Sequence, residues 1–442
     1  MKRLIAMSTA LIVAIGAIGL MAGCAGTGGA PAAPAPAGHN QAPAQEGQGE
    51  QDQPRTDFPP VVMYSRYFVT DDVPVLVKLR EAIYEELGII IEPMAAPTGF
   101  ADMVPQITAM LAARSSDIDI MHIDELLTVS FAHSGFLAPI DDVMTPEIMA
   151  YFPSAIIETN VVHNGQAFVV PGHTGPMYFY INRALFQEAG IPYPPLTREE
   201  FIYAAQRLTG NGVYGYGAAW ITGGMLYNDF IRWVYAHDGN PFDMNNPNTR
   251  AALQTMYDFL YYYEITPITV FGDDYNVANQ RFADGQYGMM YAWASLYMNN
   301  VERFESGEFM IAPVPTFETN HSISAGWKWG LSAFSENQEA ARKVLSFLAS
   351  AEGQRILTYS VDGTCVRMDV LNDPELIREK PLLGYLGQYA AAGSLRPRPM
   401  PVEVNEIMNG IEPILQMFLI RELSLEETAE RVQSVIDNIL SQ

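Results

Sequence analysis

Between Val61 and Asp124 the hydrophobic period switches back and forth between that of a strand and that of a helix, and this alternation leaves few architectures open. Val61–Tyr64 is a short apolar run of strand type. Pro74 opens a helix that carries Leu76, Leu79, Ile83 and Leu87 on one face, and Gly88 stands where a helix C-terminus favours a residue free to take positive φ. Ile89–Ile91 reads as a second buried strand, about Asp102 to Arg114 as a second helix, and Ile118–Met121 as a third strand. Strand–helix–strand–helix–strand predicts a parallel sheet with helices on its faces. His122 to Asp124 then falls at the carboxyl end of a strand, where open α/β sheets place their ligands. Further on, Thr197 to Glu200 reads as a capping box, and Ser335 and Ser424 as helix starts with Gln338 and Glu427 at the third helical position.

At 442 residues the chain is long enough for two to three domains. Hydrophobic residues at 49% and charged residues at 17% supply a large core. Asp and Glu number 50 against 25 Lys and Arg, a net charge of −25, which argues against nucleic acid as a partner. The two cysteines, Cys24 and Cys365, exclude a disulfide scaffold and a Cys-rich zinc site. Cys365 has no evident catalytic partner and reads as a buried, inert thiol.

The amino terminus is organised differently. Lys2 and Arg3 precede an uncharged apolar run, Leu4–Met21, which ends in Met21-Ala22-Gly23-Cys24. This is the pattern of an export signal, and the small residues before Cys24 resemble the lipobox of bacterial lipoproteins. That resemblance implies cleavage before Cys24 and acylation of its thiol, with Met21 in place of the more usual Leu; an uncleaved membrane anchor is the alternative. Either places the remaining chain outside the cytoplasm. Residues 1–23 are therefore read as a lipoprotein signal peptide. Residues 24–57, rich in Gly, Ala, Pro, Gln and Glu, are read as a disordered tether.

Several motifs fail on context. Gly210–Gly215 matches GxGxxG by letter but follows a helix instead of a strand, so a turn entering a strand is the better account. P-loop, HExxH and GxSxG patterns are missing from the sequence, and the seven histidines are dispersed without helical ligand spacing. Gly272-Asp273-Asp274-Tyr275-Asn276 has oxygen donors like a calcium loop but lacks the twelve-residue pattern and the terminal Glu; a solvated loop is expected, and no metal or cofactor is assigned.

Other segments carry a family resemblance. Asp117–Asp124 through Ser134–Ile140, Gly165–Pro171, Tyr180–Phe186 with Ala189–Pro192 and Thr197–Phe201, Phe282–Met290, and Ala340–Gln354 follow one another in the order and spacing of a known group. Over about Phe58 to Leu440 the chain resembles bacterial extracellular solute-binding proteins of the sugar-binding group of ABC importers, which includes maltose-binding protein. Arg198 replaces the usual Trp after Thr197, and Trp327-Lys328-Trp329 is unusual for the group. The resemblance implies a two-lobed α/β fold, each lobe an open, mainly parallel sheet flanked by helices. It further implies three interlobe crossings, near Thr174, Thr319 and Asn372. The N-terminal lobe would be 58–174 plus 320–372, and the C-terminal lobe 175–319 plus 373–442. It implies a monomer that captures a small-molecule solute, expected to be a mono- or oligosaccharide, and delivers it to ABC permease subunits. The membrane would be reached only through the lipid on Cys24.

A sugar presents apolar faces and a rim of hydroxyls, so its site needs flat aromatic rings and polar groups at their edges. By the resemblance, Trp220, Trp293 and Trp327 fall in cleft loops, with core packing as the alternative for each. Trp293 leads because it follows the apolar run Met289–Ala292. Asp124 and Glu125, at a strand's carboxyl end, can accept hydroxyls or serve as helix N-terminal charges. Arg398, between two prolines, lies in a segment that the family aims at the cleft; Ser65 and Arg66 follow the first strand. Lys328 should point opposite Trp327 and Trp329 if that segment is extended. A secreted carbohydrate-active enzyme with paired carboxylates, and a sensor partner without transport, are the two other readings.

Overall fold

A computed structural model describes residues 57–67, 73–97, 99–360 and 362–441. The segment expected to be a signal peptide, Cys24, and the segment expected to be a tether, up to residue 56, lie outside the described residues. Two sheets organise the molecule. The first contains β1 (Val61–Ser65), β2 (Ile91–Ala95), β3 (Ile120–Asp124), β4 (Val169–Pro176), β9 (Ser322–Leu331) and β10 (Leu395–Pro397); the second contains β5 (Tyr178–Asn182), β6 (Tyr214–Gly217), β7 (Tyr287–Ala292) and β8 (Phe309–Ala312).

The opening alternation folds as its periods dictate. β1 pairs in parallel with β2 and with β3. The helix Pro74–Leu87 buries Leu76, Leu79 and Ile83 and ends at Gly88, whose φ of 63° lets its N–H reach Tyr84. Strands β2 and β3 begin two residues later than the apolar runs suggest, so Asp124 is itself the last strand residue and caps the helix Glu125–His133. Gly210 and Val213 exchange backbone hydrogen bonds in a turn that enters β6. Gly215 is required there, since a Cβ would lie 2.0 Å from the Ala205 carbonyl.

Pairing is mixed rather than mainly parallel. β9 runs antiparallel to both β3 and β4, and β5 runs antiparallel to β7 and β8. Strands that return from the other sheet enter in the opposite sense, which the βαβ rhythm of the first segment does not reveal. The chain leaves the first sheet at Pro176 and starts the second at Tyr178; it leaves β8 at Ala312 and re-enters the first sheet at Ser322. Leu395–Pro397, grouped by sequence with the C-terminal lobe, pairs with Ser322–Ser324 in the first sheet. Each sheet has its own core: Val61, Ile83, Ile107 and Trp329 belong to one, and Phe201, Trp233, Phe259 and Met289 to the other.

Cap chemistry reads unevenly. Ser424 and Glu427 form the full reciprocal box. Thr197 caps its helix, but Glu200 accepts from Leu196 N–H, not from Thr197. Ser335 is not a cap: the helix begins at Gln338 after Asn337, and Ser335 Oγ donates to the buried Asp119 carboxylate 216 residues away. Among the described residues, no helix is long and apolar enough to cross a membrane.

Candidate functional site

A cavity of about 410 Å³ opens between the two sheets. Arg66, Asp124, His173, Trp327 and Asp362 line it from the first sheet's side; Gly223, Gly224, Asn228, Tyr275, Trp293 and Ser295 line it from the other. Gly175, Pro176, Ala325 and Gly326, on the strands next to the crossings, and Arg398 also line it. The close approach of β4 and β9 excludes side chains at one point, because a Cβ on Gly326 would lie 2.0 Å from the His173 carbonyl.

Trp293 follows β7 directly and is half-buried, edge-on to Tyr275 with centroids 6.3 Å apart at 88°. Tyr180 hydroxyl donates to the Trp293 carbonyl, and Asn228 Nδ2 donates to Tyr275 hydroxyl at 3.2 Å. Trp327 also lines the cavity, but the Arg66 guanidinium sits 4.2 Å from its ring centroid and covers it. Trp220 goes elsewhere: it is fully buried in the second core, where its Nε1–H donates to Asp229 at 2.8 Å.

The charged groups form two sets, each with its charges paired. In the first, Arg398 donates from Nη2 to Asp124 (2.6 Å), from Nε to Glu125 (3.1 Å) and from Nη1 to Asn228 (3.2 Å). Lys328 Nζ lies 3.6 Å from Glu125 and donates to Thr174 Oγ1 at 3.4 Å. Glu125 also accepts from Gly326 N–H, and it does not line the cavity. Asp124 Oδ1 accepts Leu126 N–H as a helix cap besides Arg398. Burial opposes charge on Arg398, but the two carboxylates raise its pKa beyond that of an ordinary arginine. Burial lowers the pKa of Lys328 against the pull of Glu125.

In the second set, Arg66 Nη2 donates to both oxygens of Asp362 at 2.9 and 2.8 Å, and Tyr67 hydroxyl donates to the same carboxylate. Burial alone would raise the Asp362 carboxyl, yet Arg66 and the neighbouring His173 hold it well below the usual range. His173 lies beside Tyr67 hydroxyl and is lowered by burial to about 4, so it is neutral near pH 7. Ser65 stands behind this wall, with Oγ 3.2 Å from His122 Nδ1, and does not line the cavity. His122 stacks on Trp329 with centroids 4.2 Å apart, and burial pushes its pKa far down.

Asp362, Thr364, Tyr275 and Asn228 are cavity residues that the sequence reading misses. Thr364 Oγ1 is buried without a protein hydrogen-bond partner. Asp273 corrects the expectation of a solvated loop: it is buried and paired with Arg281, while Asp274 caps the helix Tyr275–Ala283. Among the described residues, no group of three or more His, Cys, Asp or Glu could hold a metal ion. Cys365 is buried and its thiol is pushed up to about 12.

The arrangement offers an aromatic wall, hydrogen-bonding groups and charges that are already paired. It is suited to holding a solute. The sequence profile described as "Bacterial extracellular solute-binding protein" matches residues 82–355. A Brucella abortus (strain 2308) chain named only as a binding protein is 24% identical over 250 residues, 54% of this chain and 60% of its own length. The match thus spans less than two thirds of that relative. The structure of maltose-bound T. maritima MalE3 superposes with a TM-score of 0.77 at 23% identity, covering 86% of this chain and 99% of that one. A solute-binding protein from Thermotoga lettingae TMO, bound with α-D-tagatose, gives 0.74 at 21% identity, covering 85% and 99%. These likenesses show a two-lobed, periplasmic-binding-protein-like fold.

Proposed function

The chain belongs to the bacterial extracellular solute-binding proteins, and on that premise we propose that it captures a neutral carbohydrate or polyol in the interlobe cavity and delivers it to an ABC permease. One observation carries the ligand class. Half-buried Trp293, edge-on to Tyr275, stands across the cavity from charged groups that neutralise one another, Arg66 with Asp362 and Arg398 with Asp124 and Glu125. An aromatic face matches the C–H face of a sugar ring, while an anion or a cation would find no unpaired counter-charge among these groups. The maltose and tagatose of the two superposed structures support this reading. The lobes, 58–174 plus 320–372 and 175–319 plus 373–442 save the strand Leu395–Pro397, which pairs in the first sheet, close on the solute by a hinge through the crossings and shift an open/closed equilibrium.

The protein acts as a monomer, without turnover. It is held outside the cytoplasm by acylated Cys24, released from a signal peptide of residues 1–23, on a tether of residues 24–57. Mass spectrometry of the native amino terminus tests the anchor: an intact Met1 with no acyl group overturns it. The ligand class is tested by thermal shift with maltose, α-D-tagatose, D-mannitol and charged solutes. A ligand at 100 times its Kd adds about 2.7 kcal/mol. Stabilisation by charged solutes alone overturns the carbohydrate reading, and product released from a bound saccharide overturns the absence of turnover.

A further inference from the structure

The helix Met225–Ala236 begins at the cavity, yet it brings no capping side chain of its own: its N-cap is Gly224, at φ 101°, and Gly223 before it stands at φ 103°. Two successive residues in that region cannot easily bear side chains and are held by little locally. The missing cap comes from another helix. Glu412, in the middle of Val404–Leu419 and 2% exposed, accepts from Gly223 N–H at 2.7 Å, from Gly224 N–H at 2.9 and 3.0 Å, and from Tyr227 N–H at 2.9 Å. Tyr227 is the third helical residue, the donor that a Ser or Asp N-cap would ordinarily serve. Gly223, Gly224 and Met225 are cavity wall.

The same helix also touches the opposite wall. Asn405 Nδ2 donates to the Leu126 carbonyl at 2.9 Å, and Leu126 lines the cavity from the helix that follows β3. Asn405, Met408 and Glu412 are spaced three and four residues apart and so form one stripe. The Met408 sulfur lies 3.5 Å from where a Cβ on Gly224 would be.

We propose that Glu412 is a positioning residue for solute binding. It touches no solute; its carboxylate fixes the Gly223–Met225 wall through three backbone donors and thereby sets the shape of the cavity opposite Asp124 and Trp327. This rests on the reading of the cavity as the solute site. All the bonds require an acceptor on both carboxylate oxygens. Glu412→Gln keeps the shape but turns an NH2 donor toward N–H donors, while Glu412→Asp keeps the charge and shortens the reach.

The test combines amide hydrogen exchange on the ligand-free protein with titration by maltose, α-D-tagatose and D-mannitol. For both variants, exchange is expected to rise selectively at Gly223, Gly224 and Tyr227, and affinity for whichever probe binds the wild type to fall about tenfold or more. Glu412→Asp provides the comparison should Glu412→Gln fail to fold. Exchange that rises evenly over the second lobe, or selective exchange with unchanged affinity, overturns the proposal. If the wild type binds none of the three probes, the carbohydrate reading fails by itself; the exchange arm still decides whether Glu412 holds this wall, and unchanged exchange there overturns it.

Discussion

Arg398 donates to Asp124 at 2.6 Å across 274 residues of chain, and the same guanidinium reaches Asn228 on the opposite wall. One planar fork thus joins the end of a strand in the first sheet to a helix packed on the second. Arginine suits this task, since its donors are fixed in a plane and satisfy several acceptors at once. Besides lining the cavity, where the sequence suggests a grip on solute, Arg398 ties the two walls together through three bonds to protein acceptors.

Removing that fork leaves Asp124 and Glu125 with Lys328 as the remaining cation. Arg398→Met is expected to lower the unfolding free energy by about 3–5 kcal/mol, the cost of uncompensated buried charge. Urea denaturation measures it. A loss under about 1 kcal/mol would place the cluster with exposed ion pairs.

Trp293 is half-buried and lines the cavity. Trp293→Ala should weaken solute binding by about 1–3 kcal/mol through lost aromatic contact and burial. Its ligand-free melting temperature should stay near that of the wild type. A large fall in melting temperature with undiminished affinity would assign Trp293 to the core.

Trp220 gives the opposite forecast. Trp220→Ala opens a cavity in the second core and takes a donor from buried Asp229, which retains Arg232. A loss of about 3–5 kcal/mol of stability is expected, with unchanged affinity in the folded fraction. Paired titration and melting would show a contradiction as weakened binding without destabilisation.

Acid should destabilise the protein well above the carboxylate range. Burial lowers His122 far below its ordinary value, and lowers His173 and His237 to about 4. Between pH 7 and pH 5 the unfolded chain binds protons at these histidines that the folded chain does not, so stability falls as pH falls, by up to about 2 kcal/mol per histidine at pH 5. Asp362 adds no slope in that window: its carboxyl is ionised in both states there, and its contribution is lost only at lower pH, as pH falls through the depressed folded value. Denaturant midpoints across this range measure the slope. His122→Phe should flatten it, and an unchanged slope would contradict the assignment.

Local chemistry was the readable part of the sequence. Gly88 ends a helix, and Ser424 with Glu427 starts one, through contacts within four residues. The site divides along the same line. The place of Trp293 on the cavity wall was legible because a buried strand leads into it. Asp362 was not, because its turn has no hydrophobic period and its partner Arg66 is 296 residues away. Ser335 misleads and Glu412 gives no signal for the same reason: a hydroxyl that looks like a cap serves Asp119 on another element, and the cap for Met225–Ala236 arrives from the middle of a distant helix. Trp220 and Trp293 look alike as sequence. The fold separates them by giving one indole a buried carboxylate and placing the other at the cavity wall.

The paired charges around the cavity have a bearing on the surroundings in which the protein works. Outside the cytoplasm ionic strength is not held constant, and a receptor that relied on an unpaired charge would lose grip whenever dissolved ions screened it. Arg66, Arg398, Asp124, Glu125 and Asp362 answer one another inside the fold, where screening is weak. Capture of an uncharged solute by such walls should therefore proceed alike in dilute and in briny media.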